Sequence, residues 1–190
     1  MTKRFFIMMV ALVACVAANA VSASDLYKEG KALYDAKKYT EAVPKLRQAA
    51  EMGHKKAQYR LGRCYAKGHG VEENDALAFQ WYQKSANQDY AKAQYRLGRC
   101  YYKGNGTQKN LTLAVTWFTK AAKQENADAQ LALGKCYMKG KGVTADEKKA
   151  RTWIKRAVNN ADGGAELLEQ LRREEAAGDE DAVKMLALIS

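Results

Sequence analysis

Apolar and small residues recur at helical spacing along this chain, and the whole pattern is itself repeated. Ala57, Leu61 and Tyr65 are four residues apart, which places them on one face of an α-helix. The segment Leu-Gly-Arg-Cys-Tyr at 61–65 returns at 97–101 and, with Lys in place of Arg, at 133–137, so the period is 36 residues. A fixed period of this length predicts an array of stacked helical units.

Each unit contains the signals of two helices joined by a turn. A Lys-Gly-x-Gly segment predicts the end of the first helix, because glycine readily adopts the left-handed conformation there. Asn74, Asn110 and Asp146 are the predicted N-caps of the second helices, since their side chains accept hydrogen bonds from free N–H groups. Gly62 in mid-helix predicts a close approach of the partner helix. In the first unit the second helix is expected to bury Ala78, Trp81, Tyr82 and Ala86.

The regular pattern is preceded by a shorter unit and followed by an irregular one. Residues 21–56 form the leading unit, which resembles a tetratricopeptide repeat in the positions of Gly30, Ala42 and Ala49. Pro44 lies near the start of its second helix, where a missing N–H costs little. The predicted repeats are 57–92, 93–128 and 129–164. Residues 165–190 lose the motif but keep leucines at helical spacing. We expect two helices there, broken near Gly178, that cap the array with a polar outer face.

Together these residues resemble the Sel-one-like repeat, a relative of the tetratricopeptide repeat. The resemblance is carried by Ala-x-x-x-Leu-Gly-x-x-Tyr-x-x-Gly-x-Gly and Ala-x-x-Trp in each copy, and it covers about residues 23–158. It implies an all-α, right-handed superhelical solenoid of antiparallel helix pairs that serves as a non-enzymatic protein-interaction scaffold. Departures such as Thr107, where the family has Val, affect the surface and the caps rather than the core.

The first twenty residues predict an export signal rather than part of the fold. Lys3 and Arg4 precede an apolar run over 5–18, which is shorter than the roughly 20 residues needed to span a bilayer. Ala-Asn-Ala at 18–20 has the form of a signal peptidase site, and cleavage a few residues later is an alternative. A second interpretation is a lipobox at 12–15, with an acylated Cys15 that tethers the protein to a membrane. The expected location is the periplasm or the outside of the cell.

Charge and cysteine content add two constraints. The formal net charge is +11, yet residues 161–190 hold eight acidic and three basic residues, so the positive charge belongs to the repeats. Cys64, Cys100 and Cys136 occupy one repeat position. Equivalent helices pack about 8–10 Å apart, whereas a disulfide needs Cα atoms within about 7 Å. We therefore interpret these cysteines as small core residues, with one inter-repeat or intermolecular disulfide as the alternative.

Sequence motifs of catalysis are missing. The chain has no phosphate-binding loop, zinc-protease motif or nucleophile elbow. His54 and His69 lie at predicted turns and are interpreted as solvated, and no His or Cys cluster has metal-ligand spacing, so neither cofactor nor metal is predicted. Some exported, cysteine-rich members of the family are described as binding or hydrolysing β-lactams. They carry paired cysteines within a repeat, which this chain lacks, and that activity is kept only as an alternative.

The candidate binding surface consists of first-helix residues that face away from the core of each pair. By analogy with tetratricopeptide arrays, they line a concave groove. Cations alternate there with aromatics, which suits an extended anionic ligand, because Arg binds carboxylates in bidentate geometry and Tyr supplies flat contact area. The predicted groove residues are Tyr59, Arg63, Lys67, Tyr95, Arg99, Tyr102, Lys103, Lys135 and Lys139, continued by Tyr27, Lys31, Tyr34, Leu131 and Met138, with Arg60 and Arg96 at the edge.

These features favour a monomeric, exported scaffold that binds an acidic peptide or protein segment. One alternative is that the groove cations only keep the surface soluble. Another is binding to an envelope polyanion, such as an anionic lipid or a wall polymer. The expected compartment disfavours nucleic acid as a partner, and an unpaired cysteine offers a route to a linked dimer.

Overall fold

The computed structural model describes residues 21–190, and over that range the chain forms ten α-helices. They are α1 Ala23–Asp35, α2 Tyr39–Glu51, α3 Lys55–Tyr65, α4 Asp75–Ala86, α5 Ala91–Lys103, α6 Leu111–Lys123, α7 Ala127–Lys139, α8 Glu147–Val158, α9 Gly164–Ala176 and α10 Glu180–Ile189. The predicted all-α class is confirmed. The predicted export signal, with Cys15, lies outside the described residues. Among the described helices, none is long and apolar enough to cross a membrane.

Consecutive helices pack as pairs, and the pairs stack in chain order. α1 packs on α2, α3 on α4, α5 on α6 and α7 on α8, while α2–α3, α4–α5 and α6–α7 contacts join one pair to the next. Because each helix contacts mainly its neighbours in sequence, the molecule is a solenoid of helix pairs. Leu61, Leu97 and Leu133 are buried at the corresponding point of each repeat.

A glycine in the first helix of each repeat sets the distance to the second helix. A β-carbon on Gly98 would lie 2.6 Å from the Phe118 ring, too close for any real side chain. The mid-helix glycine, which costs about 0.5–1 kcal/mol relative to alanine, is therefore the residue that allows the two helices to approach. The other two copies have the same relationship, in the pairs Gly62–Tyr82 and Gly134–Ile154.

The two glycines of the Lys-Gly-x-Gly turn have different roles. In repeat two, Gly104 is the C-cap of α5, with φ of 84°, as the sequence predicts. Gly106, with φ of 67°, packs instead on the preceding repeat, where a β-carbon would lie 2.0 Å from the carbonyl oxygen of Asp75. The second glycine thus lets one repeat sit directly on the start of the previous second helix. Its counterparts are Gly70 against Tyr39 and Gly142 against Leu111.

The predicted N-caps of the second helices are confirmed. Asn74, Asn110 and Asp146 each accept a hydrogen bond from the backbone N–H three residues further on, at 2.9 Å. First helices use the same device in two repeats, where His54 Nδ1 accepts from a backbone N–H at 3.2 Å and Asn126 Oδ1 at 2.9 Å. Each helix start with such a cap is therefore set by a local side chain.

The repeated tryptophans are half-buried, whereas the sequence predicted a buried Trp81. Trp81 and Trp117 lie beside the core of the leading unit and repeat one, and part of each ring stays exposed. The ammonium of Lys84 lies 4.2 Å from the Trp81 ring centroid, and that of Lys120 lies 4.3 Å from Trp117. A spacing of three residues brings the cation over the ring, so the exposed part is covered by charge rather than by apolar core.

Buried glutamines form a ladder between repeats that the sequence analysis missed. Gln94 is 1% exposed; its Nε2 donates to the carbonyl oxygen of Ala86 at 3.4 Å, and its Oε1 accepts from Gln124 Nε2 at 2.8 Å. Gln58 and Gln130 make the equivalent bonds in their own repeats. The available signal was the Ala-Gln dipeptide at 57–58, 93–94 and 129–130. A satisfied buried amide fixes the relative position of the elements it joins.

The C-terminal cap is the predicted pair of helices, α9 and α10, with Gly178 in the turn between them at φ of 83°. Leu171 and Met185 are buried, and α9 and α10 both contact α8. The cap therefore closes the core at the end of the array, as a terminal unit must.

Cys64, Cys100 and Cys136 are free and buried, in agreement with their interpretation as core residues. Burial raises the pKa of each thiol to about 11, so these side chains are neutral near pH 7.

Candidate functional site

A cavity of about 160 Å³ lies between α3 and α5, over α4, and brings together four of the predicted groove residues. Its wall contains five cations and one carboxylate. We refer to it as the α3–α5 cavity and to its cations as the cavity cations: Arg63, Lys67, Arg96, Arg99 and Lys103. Arg96 was predicted at the groove edge, and the structure places it in the wall instead.

None of the five cavity cations forms an ion pair with another described residue. None of them has a carboxylate oxygen within 4.0 Å, although ten other ion pairs are present in residues 21–190. The one carboxylate in the wall, Asp75, accepts a hydrogen bond from Asn105 at 2.9 Å. The cavity therefore presents an excess of positive charge that no other described residue neutralises.

One donor of Arg63, its Nε–H group, lacks a hydrogen-bond partner within the described residues. This nitrogen is buried. A buried donor without an acceptor costs about 1–3 kcal/mol, and more for a charged group, so the fold holds Arg63 in this place at an energetic cost. The Arg63 guanidinium carbon lies 5.6 Å from the Tyr34 ring centroid, which holds the side chain against an aromatic surface.

Cys100 also lines the cavity, but it adds neither charge nor reactivity. Burial raises the pKa of its thiol to about 11. The thiolate is the nucleophilic form, so this sulfur is a neutral part of the wall at neutral pH. The cavity thus has the chemistry of an anion-binding site rather than that of a nucleophilic active site.

Three predicted groove aromatics contribute to packing rather than to an open surface. Tyr59 is 9% exposed and lies 5.3 Å from Tyr90 in an edge-to-face arrangement, so it belongs to the core. Tyr95 and Tyr102 are half-buried against Phe118, with ring centroids 5.9 and 6.3 Å away. The predicted cation Arg99 lies next to one of these aromatics, with its guanidinium carbon 5.9 Å from the Tyr95 ring centroid.

The C-terminal cap packs on the third repeat, where it shares a core with two predicted groove residues and pairs with a third. Leu131 is 8% exposed and Met138 packs on the core that α9 and α10 share with α8. Lys139 forms an ion pair with Asp181 of α10, and Lys135 is half-buried nearby. The acidic tail was interpreted as a solvated cap. One of its carboxylates, that of Asp181, instead forms the ion pair with Lys139.

A broader concavity of about 1120 Å³ lies at the N-terminal ends of α3, α5 and α7 and is closed by α9. Five carboxylates and four cations line it, so its charge is nearly balanced. The strongly cationic part of the groove is therefore restricted to the α3–α5 cavity.

Both histidines are packed, in contrast to the solvated side chains predicted from sequence. His54 stacks on Tyr27 with ring centroids 4.4 Å apart and caps α3 through Nδ1. His69 stacks on Tyr39 at 4.2 Å, and its Nδ1 lies 3.3 Å from the Tyr34 hydroxyl. Neither histidine lines the α3–α5 cavity. Among the described residues, no group of His, Cys, Asp and Glu has the arrangement of a metal site.

Comparison with known families agrees with this geometry. The Sel1 repeat family matches residues 55–90, 91–126 and 127–162. The chain belongs to the Sel1 repeat family. Each matched segment starts at the first residue of a first helix, at Lys55, Ala91 and Ala127, two residues before the starts predicted from the motif.

Solved structures of similar proteins include two Sel1-type solenoids. A Sel1 repeat protein from Oxalobacter formigenes is 36% identical, with a TM-score of 0.69 over 84% of this chain and 67% of that one. A protective antigen of uropathogenic Escherichia coli strains, described as displaying an SLR fold, is 31% identical, with a TM-score of 0.74 over 91% of this chain and 39% of that one.

A curated relative resembles only part of the chain. The exopolysaccharide production negative regulator of Rhizobium meliloti (strain 1021) is 43% identical over 63 residues, which is 33% of this chain. The match spans about a quarter of that protein's length, 24%.

Proposed function

We propose that this Sel1 repeat protein is an exported, non-enzymatic interaction scaffold that binds an acidic segment of a partner protein along the face formed by α3 and α5. The single observation that supports it is the α3–α5 cavity, in which five cations form no ion pair with any carboxylate of residues 21–190. Extended surfaces of this kind are how repeat proteins bind partners. Opposite charge on the partner would both steer the encounter and select the segment.

The direct test uses a fluorescein-labelled decapeptide in which glutamate alternates with serine, and the same peptide with glutamine as its uncharged counterpart. Fluorescence anisotropy should detect binding of the glutamate peptide, with little binding of the glutamine peptide. Replacing Arg63 and Arg99 by Glu should weaken binding by at least tenfold, because it reverses two of the cavity cations.

A matched control carries the same charge change elsewhere. Lys148 and Lys155 are exposed on α8 and form no ion pair within residues 21–190, so Lys148→Glu with Lys155→Glu alters the net charge equally. Equal loss of peptide binding in both double variants would show that only net charge matters and would contradict a groove site. Binding to phosphatidylglycerol vesicles that both variants lose alike would instead favour the polyanion alternative, as would a steep fall with salt.

Export has its own test, which does not depend on the groove. Mass spectrometry of the protein from a bacterial periplasm should find the N-terminus near residue 21. Palmitate incorporation, lost in Cys15→Ser, would favour the lipid-tethered alternative. An unprocessed chain that stays in the cytoplasm would contradict export and leave the binding proposal standing.

A further inference from the structure

The junction between α1 and α3 contains a partly buried cation with internal partners. Arg60 on α3 donates from Nη1 to Asp35 Oδ1 at 3.1 Å, and its guanidinium carbon lies 5.1 Å from the Tyr34 ring centroid. The Arg60 side chain is only 15% exposed. The leading unit thus supplies this arginine with an aromatic ring to pack on and a carboxylate that accepts its hydrogen bond.

The next junction, between α3 and α5, has the same arginine without those partners. Tyr34 and Asp35 follow Gly30 by four and five residues, and the positions that follow Gly62 by the same distances are Ala66 and Lys67. Gly30 and Gly62 are equivalent because each lies against a side chain of its second helix, as the clash of an added β-carbon with Leu46 or Tyr82 shows. The arginine equivalent to Arg60 is Arg96, 36 residues later.

The α3–α5 cavity therefore lies where repeat one has an alanine and a lysine at the two positions that hold a tyrosine and an aspartate in the leading unit. Ala66, Lys67 and Arg96 all line it. At the following junction, between α5 and α7, the position of Ala66 holds a tyrosine, Tyr102, and the position of Arg96 holds an alanine, Ala132. At the last one Asp181 supplies a carboxylate to Lys139. Of these junctions, the α3–α5 one alone combines an arginine, a small neighbour and no carboxylate partner.

We infer that the α3–α5 cavity binds one acidic side chain of the partner segment, a Glu or Asp carboxylate that takes the place Asp35 holds against Arg60. This rests on the proposed function and specifies where its ligand is anchored. The guanidinium groups of Arg96 and Arg63, two residues of the cavity wall, are the donors. The cavity of about 160 Å³ is far larger than the ~10–15 Å³ that one water requires, so a carboxylate with its methylene group fits.

The fold itself favours a carboxylate in this place. The carboxylate of Asp35 is held by Arg60 at the previous junction, and a second carboxylate, Asp181 of the C-terminal cap, is held by Lys139 of the third repeat. The wall carboxylate Asp75 accepts a hydrogen bond from Asn105, and its single negative charge is smaller than the charge of the five cavity cations.

The test copies the internal partners of the previous junction into the cavity. Ala66→Tyr with Lys67→Asp recreates the Tyr-Asp pair beside Arg96, and Ala66→Tyr alone fills the space without a change in charge. Tyrosine is native to this place in repeat two, as Tyr102, so the fold accepts it. The probe is the fluorescein-labelled Glu-Ser decapeptide, with Lys155→Asp on exposed α8 as the charge-matched control.

We expect the double variant to bind the peptide at least tenfold more weakly and Ala66→Tyr at least threefold more weakly, with Lys155→Asp near wild type. Wild-type affinity in Ala66→Tyr and in the double variant would overturn the pocket. If Arg63→Glu with Arg99→Glu still abolished binding, the groove proposal would survive that result. Wild-type affinity in all of these variants would overturn both.

Discussion

Lys139 at the end of α7 donates a hydrogen bond to the carboxylate of Asp181 in the first turn of α10. This contact joins the third repeat to the C-terminal cap, and it lowers the pKa of Asp181 through the hydrogen bond and the charge of Lys139. Lys139 is the counterpart of Lys67 and Lys103 in the earlier repeats, so in the third repeat this cation is paired with a carboxylate of the same chain.

Asp181→Asn should free Lys139 and strengthen binding of the Glu-Ser decapeptide. Ten extended residues span at most about 33–36 Å, and neighbouring helices lie about 8–10 Å apart, so the peptide reaches the third repeat. A partly exposed pair is worth about 0.2–1 kcal/mol, so the gain should be below about fivefold. The control is Glu180→Gln, whose carboxylate pairs with Lys184 of its own helix. Equal affinities in Asp181→Asn and wild type would show that the bound peptide does not contact Lys139 of the third repeat.

Gly98→Ala should destabilise the fold by about 1–3 kcal/mol, measured by urea unfolding. The new β-carbon would lie 2.6 Å from Cδ1 of Phe118, so α5 and α6 must separate. Adding Phe118→Ala should remove the clash, and the two changes together should cost less than the sum of their separate effects. Strict additivity would mean that the glycine is not needed for close helix packing.

Gln94→Leu should also destabilise the fold by about 1–3 kcal/mol, because it leaves the Ala86 carbonyl and the Gln124 amide without their buried partner. A double-mutant cycle with Gln124→Ala, followed by chemical denaturation, isolates the bond between the two side chains. We expect a coupling of about 0.5–1.5 kcal/mol. A coupling near zero would show that the glutamine ladder does not help to align the repeats.

His54 should make stability depend on pH below neutrality. Its Nδ1 accepts the N–H of Ala57, which requires an unprotonated nitrogen, and burial followed by the charge of Lys56 lowers its pKa below 6.5. In the window below 6.5 the unfolded chain therefore binds more protons than the folded one. This contribution to stability is present above pH 6.5 and is lost as the pH falls through the folded pKa.

The matched variant is His54→Asn, because Asn126 caps α7 at the equivalent place. Its melting temperature should fall less than that of wild type between pH 7.5 and 5. Parallel melting curves for the two proteins would assign the pH dependence to other groups.

The sequence predicted those features that depend on contacts within one repeat. Asn74 begins α4 and Gly62 faces Tyr82 because both relationships are local to one helix pair, which a period of 36 residues makes visible. Tyr59 was misplaced because periodicity shows that positions are equivalent, and not how much of a large ring the next helix covers.

Contacts between repeats were harder to predict. Arg96 joins the cavity because Ala66 of the previous repeat is small, a relationship that appears only when two repeats are placed side by side. Gln94 was missed for the same reason, since its partners belong to two different helix ends. The pairing of Lys139 with Asp181 depends on the irregular cap, which has no copy elsewhere in the chain.

The most direct measurement is the ¹⁵N NMR signal of the Arg63 Nε–H group, assigned with Arg63→Lys, during titration with the Glu-Ser decapeptide. This group has no acceptor within residues 21–190 and belongs to a side chain of the cavity wall, so a carboxylate bound to the Arg63 guanidinium should shift its proton signal. The shift should disappear in Ala66→Tyr with Lys67→Asp. Saturating peptide binding that leaves the Arg63 Nε–H signal in place would contradict carboxylate binding in the α3–α5 cavity.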